Sequence, residues 1–177
     1  MQDARAQSGK NPAVRFRVPI RVIEFEDQFK GMQRFDTARF GDFVIAKNDG
    51  TPAYQLAVVV DDAGMNVTDV VRGDDLLESA ARQILLFDAL GLSEKIPHWY
   101  HLPLVVGTDG RRLAKRHGDT RIAHFRDAGV PAARILGLLA GWCGIPAGQT
   151  ANLTELLAAF ELGNVPREKI IFDPGAI

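Results

Sequence analysis

The sequence predicts an α/β fold followed by a smaller helical region. Three observations carry this: short apolar runs of strand character fill the first two thirds, one strongly amphipathic helical pattern sits between two of those runs, and from about residue 119 only helical periodicity remains. The 177 residues, 46% hydrophobic and 24% charged with a formal net charge of -1, suit one domain, or one and a small appendage, whose core needs neither disulfide nor metal. That composition excludes disordered, collagen-like and coiled-coil chains. A single cysteine, Cys143, excludes an intrachain disulfide and a multi-cysteine zinc site, and fits a reducing compartment.

The elements come in this order. The opening residues, 1–11, are polar and read as an arm. VRFRV alternates, Pro19 interrupts, and VIEF resumes, which predicts two short strands. DFVIAK and YQLAVVV flank NDGTPA, where Asn48, Asp49 and Gly50 supply the positive-φ residues of a β-hairpin. The nearly continuous apolar character of YQLAVVV predicts a strand buried on both faces. NVTDVV reads as a further strand running into Arg72 and Gly73, after which Asp74 or Asp75 caps a helix that Gly91 ends. Leu76, Leu77, Ala80, Ile84, Leu85 and Phe87 form its apolar stripe, with Glu78 and Arg82 facing away. HLPLVVG is the next strand, giving the order of a βαβ crossover. Beyond the loop TDGRRLAKRHGDT the pattern is helical: RIAHFRDA, a second helix opened by Pro131 and running toward Gly144, and a third, LTELLAAFEL, behind a capping box of Asn152 and Glu155.

Several residues could carry chemistry. Arg111, Arg112, Lys115, Arg116 and Arg121 cluster on the basic loop with only Asp109 and Asp119 nearby, so a polyanion contact should begin there. Cations on a loop after a sheet strand can neutralise charge on transferring phosphates; the alternative is a solvated basic turn. Tyr54 reads as a half-buried strand residue and Arg72 as a partner of Asp74 or Asp75 on residue pattern alone. His98 and His101 have a spacing open to metal ligation, but aromatic neighbours and the lack of a cysteine or acidic cluster point to packing. Asp61 and Asp62 suggest capping or loop hydrogen bonding rather than a magnesium site, and Cys143 beside Trp142 reads as core. The first residues lack the apolar stretch of a signal peptide, and LAVVV and ILGLLAGWCGI are too short to span a bilayer. A cytoplasmic protein with no membrane partner is expected.

The stretch YHLPLVVGTDGRRLAKRHGDTRI resembles the second signature region of class I aminoacyl-tRNA synthetases of the glutamyl and glutaminyl branch. The branch's K-L-S-K-R pattern stands here as Arg112-Leu113-Ala114-Lys115-Arg116, with arginine for the first lysine and alanine for the serine. DFVIAKNDGTPAYQLAVVVDD and NVTDVVRGDDLLESAARQILLFDALGL resemble the blocks on the amino-acid side of the same catalytic domain, so the likeness covers roughly residues 12 to 145. It implies the second half of a Rossmann-like catalytic domain followed by a small helical region. Residues 1–11 would then be an arm or the remnant of an upstream insertion, 12–118 the α/β part including the KMSKS-like loop, and 119–177 a helical stem-contact-like region. The resemblance assigns catalysis to Lys115, ATP binding to Arg112, Lys115 and Arg116, and glutamate binding to Tyr54 and Arg72. It implies ATP as substrate with Mg2+, glutamate and tRNA as partners, and zinc only in the family's upstream insertion, with no metal site in this chain.

Within that branch, the short stretch after LTELLAAFEL leaves no room for an anticodon-binding domain, which resembles the truncated paralogues that activate glutamate with ATP and transfer it to the queuosine of tRNA(Asp). An H-I-G-H type motif is missing: His98, His101, His117 and His124 are all misplaced for it. The expectation is that Met1 is an internal or misassigned start, or the edge of an incomplete gene. The chain alone would then form negligible adenylate and leave an open sheet edge. Two alternatives stay open: a fragment of an ordinary glutamate–tRNA ligase, and a non-catalytic RNA- or nucleotide-binding remnant.

Overall fold

A computed structural model of the chain describes residues 11–113, 120–146 and 152–173, and these fall into two compact units, one ending at His101 and one starting at Leu102. In the first unit, β1 (Val14–Phe16) pairs antiparallel with β4 (Phe43–Ala46), with a register shift between Val14 and Arg15. A four-stranded sheet has the order β3-β2-β6-β5, built from β2 (Val22–Asp27), β3 (Gly31–Asp36), β5 (Asp69–Gly73) and β6 (His98–Leu102). Strands β2 and β3 form an antiparallel hairpin, whereas β2 and β6 run parallel. The sheet is therefore mixed, with its parallel pairing at the centre. Strand β3 was not foreseen; Gly31, at φ 75°, makes the tight reversal that lets GMQRFD fold back on β2.

One expected strand is a helix. YQLAVVV opens α1 (Tyr54–Met65), which carries Asp61 and Asp62 within its length. The turn at Asn48-Asp49-Gly50 does reverse the chain, with Gly50 at φ 86° and Ala53 N–H donating to Ile45 O at 2.8 Å, but it leads into this helix and not into a second hairpin strand. Valine costs only a few tenths of a kcal/mol in a helix, about 0.7 at most, and packing decides the rest. Val59 and Ala63, four apart, point inward, while Val60 is exposed, as a helix and not a doubly buried strand requires. Asn66, left-handed at φ 53°, ends α1.

Helix α2 (Leu77–Ala89) comes after a 3-10 turn over Asp74–Leu76 and lies close to its expected span, but neither Asp74 nor Asp75 caps it: both are taken up in the 3-10 turn, and the N-cap is Leu76, with no side-chain cap bond. It packs on α1 and the sheet through Ala80, Leu86 and Phe87, joined by Val59, Ala63 and Trp99. A second cluster gathers Ile23, Ala81 and Leu85. Phe25 meets Trp99 edge-on at 5.4 Å between ring centroids.

The run HLPLVVG does not form one strand. Pro103 has no N–H to donate, and β6 stops at Leu102. In the second unit Val105 and Val106 form β7, which pairs in parallel with β8 (Ile170–Ile171). Among its described residues this unit has three α-helices: α3 (Ile122–Asp127), α4 (Ala132–Trp142) and α5 (Leu153–Ala159). Pro131 is the N-cap of α4, and the Asn152 side chain caps α5 by accepting from Glu155 N–H at 3.0 Å. Phe172 packs edge-on against Phe125 and Trp142. Among the described residues no helix is long and apolar enough to cross a membrane.

Candidate functional site

In the first unit, polar side chains that are far apart in sequence converge beneath Arg72. This arginine leaves β5 one residue before its end, where the chain turns toward α2. Its Nε donates to Nε2 of His101 at 3.0 Å, and its Nη2 donates to Gln83 Oε1 at 3.0 Å and, more weakly, to Leu76 O at 3.4 Å. Nη1 takes part in none of these three bonds. Gln83 continues the network from α2 to α1, donating from Nε2 to Gln55 Oε1 at 3.0 Å; Gln55 in turn donates to Ser79 Oγ at 3.0 Å. Behind His101, Nδ1 lies 2.6 Å from Asp27 Oδ2. Asp27, His101 and Gln83 are at most 1% exposed. A buried polar group without a partner is costly, and every member of this set has one.

The charges result from that packing. Burial lowers the pKa of Arg72, and Tyr54, Asp62 and Asp27 work against it by favouring the cation. Burial also lowers His101 and Arg72 adds to the effect, opposed by the hydrogen bond that His101 donates to Asp27. For Asp27, burial alone would raise the pKa, but hydrogen bonds from His101 and from the Lys30, His101 and Phe29 backbones outweigh it and hold the carboxyl below its ordinary value. Asp62 is raised by burial, with Asp61 adding and Arg72 opposing. The site thus holds a neutral imidazole between a buried carboxylate and a guanidinium.

Tyr54, the first residue of α1, is 51% exposed and interacts with the Arg72 guanidinium. The pairing of Arg72 with Asp74 or Asp75 is replaced by contacts to neutral acceptors, because Asp74 accepts instead from Lys30 Nζ at 2.9 Å. Asp61 and Asp62 lie inside α1 rather than at the close of a strand, and the backbone oxygen of Asp62 accepts from Val67 N–H at the helix end. His98 is exposed beside Asp69, while His101 is fully buried in the network. Burial pushes the half-buried Cys143 thiol up.

The basic loop begins in the second unit. Gly107, Gly110 and Arg111 close a tight turn, with Gly107 N–H donating to Arg111 O at 2.9 Å and Arg112 bridged to Val106. Arg112 is thereby fixed at the loop's base. Lys115 and Arg116 lie outside the described residues.

Sequence reasoning brought Tyr54 and Arg72 forward but missed Asp27, Gln83 and Gln55, and read His101 only as packing. One signal for Asp27 was present: an aspartate four residues ahead of a turn glycine commonly accepts from the turn's backbone N–H groups, as Asp27 does from Phe29 and Lys30. Gln83 offered no such signal, since a glutamine in a helix is ordinary.

A model of the family described as tRNA synthetases class I (E and Q), catalytic domain, matches residues 1–169. The chain is 47% identical over 168 residues to a glutamyl-Q tRNA(Asp) synthetase of Symbiobacterium thermophilum, covering 94% of this chain and 51% of that protein. It is also 39% identical over 168 residues to a glutamate–tRNA ligase of Carboxydothermus hydrogenoformans, covering 93% of this chain and 35% of the ligase. Among solved structures, a glutamate tRNA ligase of Elizabethkingia meningosepticum in complex with its amino acid superposes with a TM-score of 0.76 at 28% identity, over 97% of this chain and 38% of the other. The chain therefore spans about half the length of the first of these relatives and about a third of the second.

Proposed function

The chain belongs to the class I tRNA synthetases (E and Q), catalytic domain, and from that premise we propose that it is the glutamate-binding part of an enzyme that activates glutamate with ATP and transfers it to the queuosine of tRNA(Asp). The observation that carries the glutamate assignment is Arg72: a cation oriented by His101 and Gln83, with Tyr54 at its side and Nη1 outside those bonds. A guanidinium grips a carboxylate through charge-assisted hydrogen bonds, which glutamine's neutral amide accepts less well. Tyr54 adds a hydroxyl without adding charge.

With the side-chain carboxylate held there, an oxygen of glutamate's α-carboxylate attacks the α-phosphorus of ATP and the bond to pyrophosphate breaks. Lys115, aided by Arg112 and Arg116, neutralises the phosphate charge. A hydroxyl of queuosine then takes the glutamyl group from the mixed anhydride, and AMP leaves. Among the described residues no three His, Cys, Asp or Glu side chains come together as metal ligands, so this reading gives Mg2+ no ligand there and routes no step through it. The basic loop and the helical tail are assigned to tRNA phosphates, with a salt-sensitive affinity.

The 47% identity to a glutamyl-Q synthetase supports queuosine as acceptor, and the 39% identity to a glutamate–tRNA ligase supports a second reading in which the acceptor is the 3′ end of tRNA(Glu). Labelled glutamate and ATP, offered to the protein expressed from its native reading frame, separate them. Label on queuosine-containing tRNA(Asp), and none on the same tRNA with guanosine, is the expected result. Label on tRNA(Glu) would favour the second reading, and label on neither would overturn the enzyme assignment.

A further inference from the structure

We propose that Asp27 and His101 form a relay that sets the direction of the Arg72 guanidinium, making Asp27 a positioning residue for the carboxylate site. The proposal rests on Arg72 being the glutamate partner. Arginine has no acceptor, so the 3.0 Å contact from Arg72 Nε requires a lone pair on His101 Nε2. The imidazole proton therefore sits on Nδ1, and Asp27 Oδ2, 2.6 Å away, receives it. Every bond in the chain has one possible polarity. A second proton on His101 would set two donors and two positive charges against each other.

Asp27 is itself locked. Its other oxygen, Oδ1, accepts from the backbone N–H groups of Lys30 at 2.7 Å, Phe29 at 3.1 Å and His101 at 3.3 Å. The carboxylate thus has one oxygen held by the turn between β2 and β3 and one aimed at the imidazole. The groups that bear on His101 are Asp27 from β2, Arg72 from β5 and the Leu76 carbonyl ahead of α2; Tyr54 and Asp62 from α1 act through Arg72.

The effect of Asp27→Asn is dictated by this geometry. The asparagine oxygen keeps the three backbone N–H groups, so its NH2 must face His101 Nδ1. Nδ1 can then only accept, the proton moves to Nε2, and Nε2–H meets Arg72 Nε–H, donor against donor. The same exchange of acceptor for donor disables an orienting aspartate in serine proteases.

The test uses the protein expressed from its native reading frame, with nitrogen-15 NMR of its imidazole and arginine Nε–H groups and titration with glutamate. The wild type is expected to show His101 as the Nδ1–H tautomer, neutral to below the ordinary imidazole value, and a protected Arg72 Nε–H. Asp27→Asn should switch the tautomer to Nε2–H, expose the Arg72 Nε–H to exchange, and weaken glutamate binding by about tenfold or more. Arg72→Ala, which keeps Asp27 and His101, should let His101 take up a proton at higher pH than in the wild type. An unchanged tautomer in Asp27→Asn, or identical His101 titration in wild type and Arg72→Ala, would overturn the relay. So would a switched tautomer with undiminished glutamate affinity. If the wild-type protein takes up no glutamate, the assignment of Arg72 to glutamate fails, while the imidazole and guanidinium signals still decide the relay.

Discussion

Replacing Arg72 by methionine separates what this residue does for the fold from the ligand role proposed for it. Methionine keeps an unbranched stem but donates nothing, so His101 Nε2 and Gln83 Oε1 lose their donors in places no more than 1% exposed. Each buried acceptor left unmade costs about 1–3 kcal/mol. No longer holding a guanidinium out of water offsets part of that, so a net loss of about 1–3 kcal/mol is expected. With a urea slope typical of small domains, the unfolding midpoint should fall by roughly 1 M. Trp99, buried in β6 two residues from His101, reports the transition by its fluorescence. Glutamate binding should vanish in the same variant. An Arg72→Met protein with the wild-type urea midpoint and slope would refute the claim that the network is under load, and one that still bound glutamate would refute the site.

Four further outcomes are expected. Phe87→Ala empties the centre of the α1, α2 and sheet cluster, where the ring is 1% exposed, and should cost about 3–5 kcal/mol by urea or thermal unfolding. Stability should fall with pH in two windows. The fold keeps His101 neutral, so its contribution is complete above the ordinary value of 6.5 and is lost as pH drops through the lowered folded value. Asp27, also lowered, contributes fully above 3.8 and loses that below it, so Asp27→Asn should remove the lower window from a plot of urea midpoint against pH. Gly144→Ala should destabilise the second unit by more than about 1 kcal/mol, because φ is +77° and an added Cβ would lie 2.2 Å from Asn164 O; thermal unfolding monitored by Trp142 fluorescence checks it. Lys115→Ala should slow ATP-dependent glutamate activation by about 10²–10³-fold, read by pyrophosphate exchange in the enzyme expressed from its native frame.

How much of this was legible depends on how local the cause is. The end of α2 at Gly91, the turn at Gly50 and the cap at Asn152 are set by residues within one turn of where they act, and the structure has them where the sequence puts them; the start of α2 is displaced because Asp74 and Asp75 go into a 3-10 turn instead of capping it. The segment from Tyr54 was misread because LAVVV fits either period, and only its contact with α2 chooses the helix. Pro103 was passed over inside an apolar run, although its missing N–H is a local reason for β6 and β7 to be separate.

The candidate residues were legible in the sequence; the bonds around them were not. Tyr54 and Arg72 came from resemblance, but the residues that hold Arg72 lie 11 and 29 positions away, and Asp27 lies 74 positions from His101. The rule that an arginine next to two aspartates pairs with them pointed to Asp74 and Asp75, and here that rule would have erased the site. An Arg72 neutralised by an adjacent carboxylate would have little charge left to offer a substrate. It donates to an imidazole nitrogen and a glutamine oxygen, both neutral, with Tyr54 beside it, while Asp74 is drawn off by Lys30 and Asp27 hydrogen-bonds His101 and acts on Arg72 only across a distance. The guanidinium is held in place by hydrogen bonds without being discharged by them, and that separation of positioning from neutralisation is the ground for proposing a carboxylate as its partner.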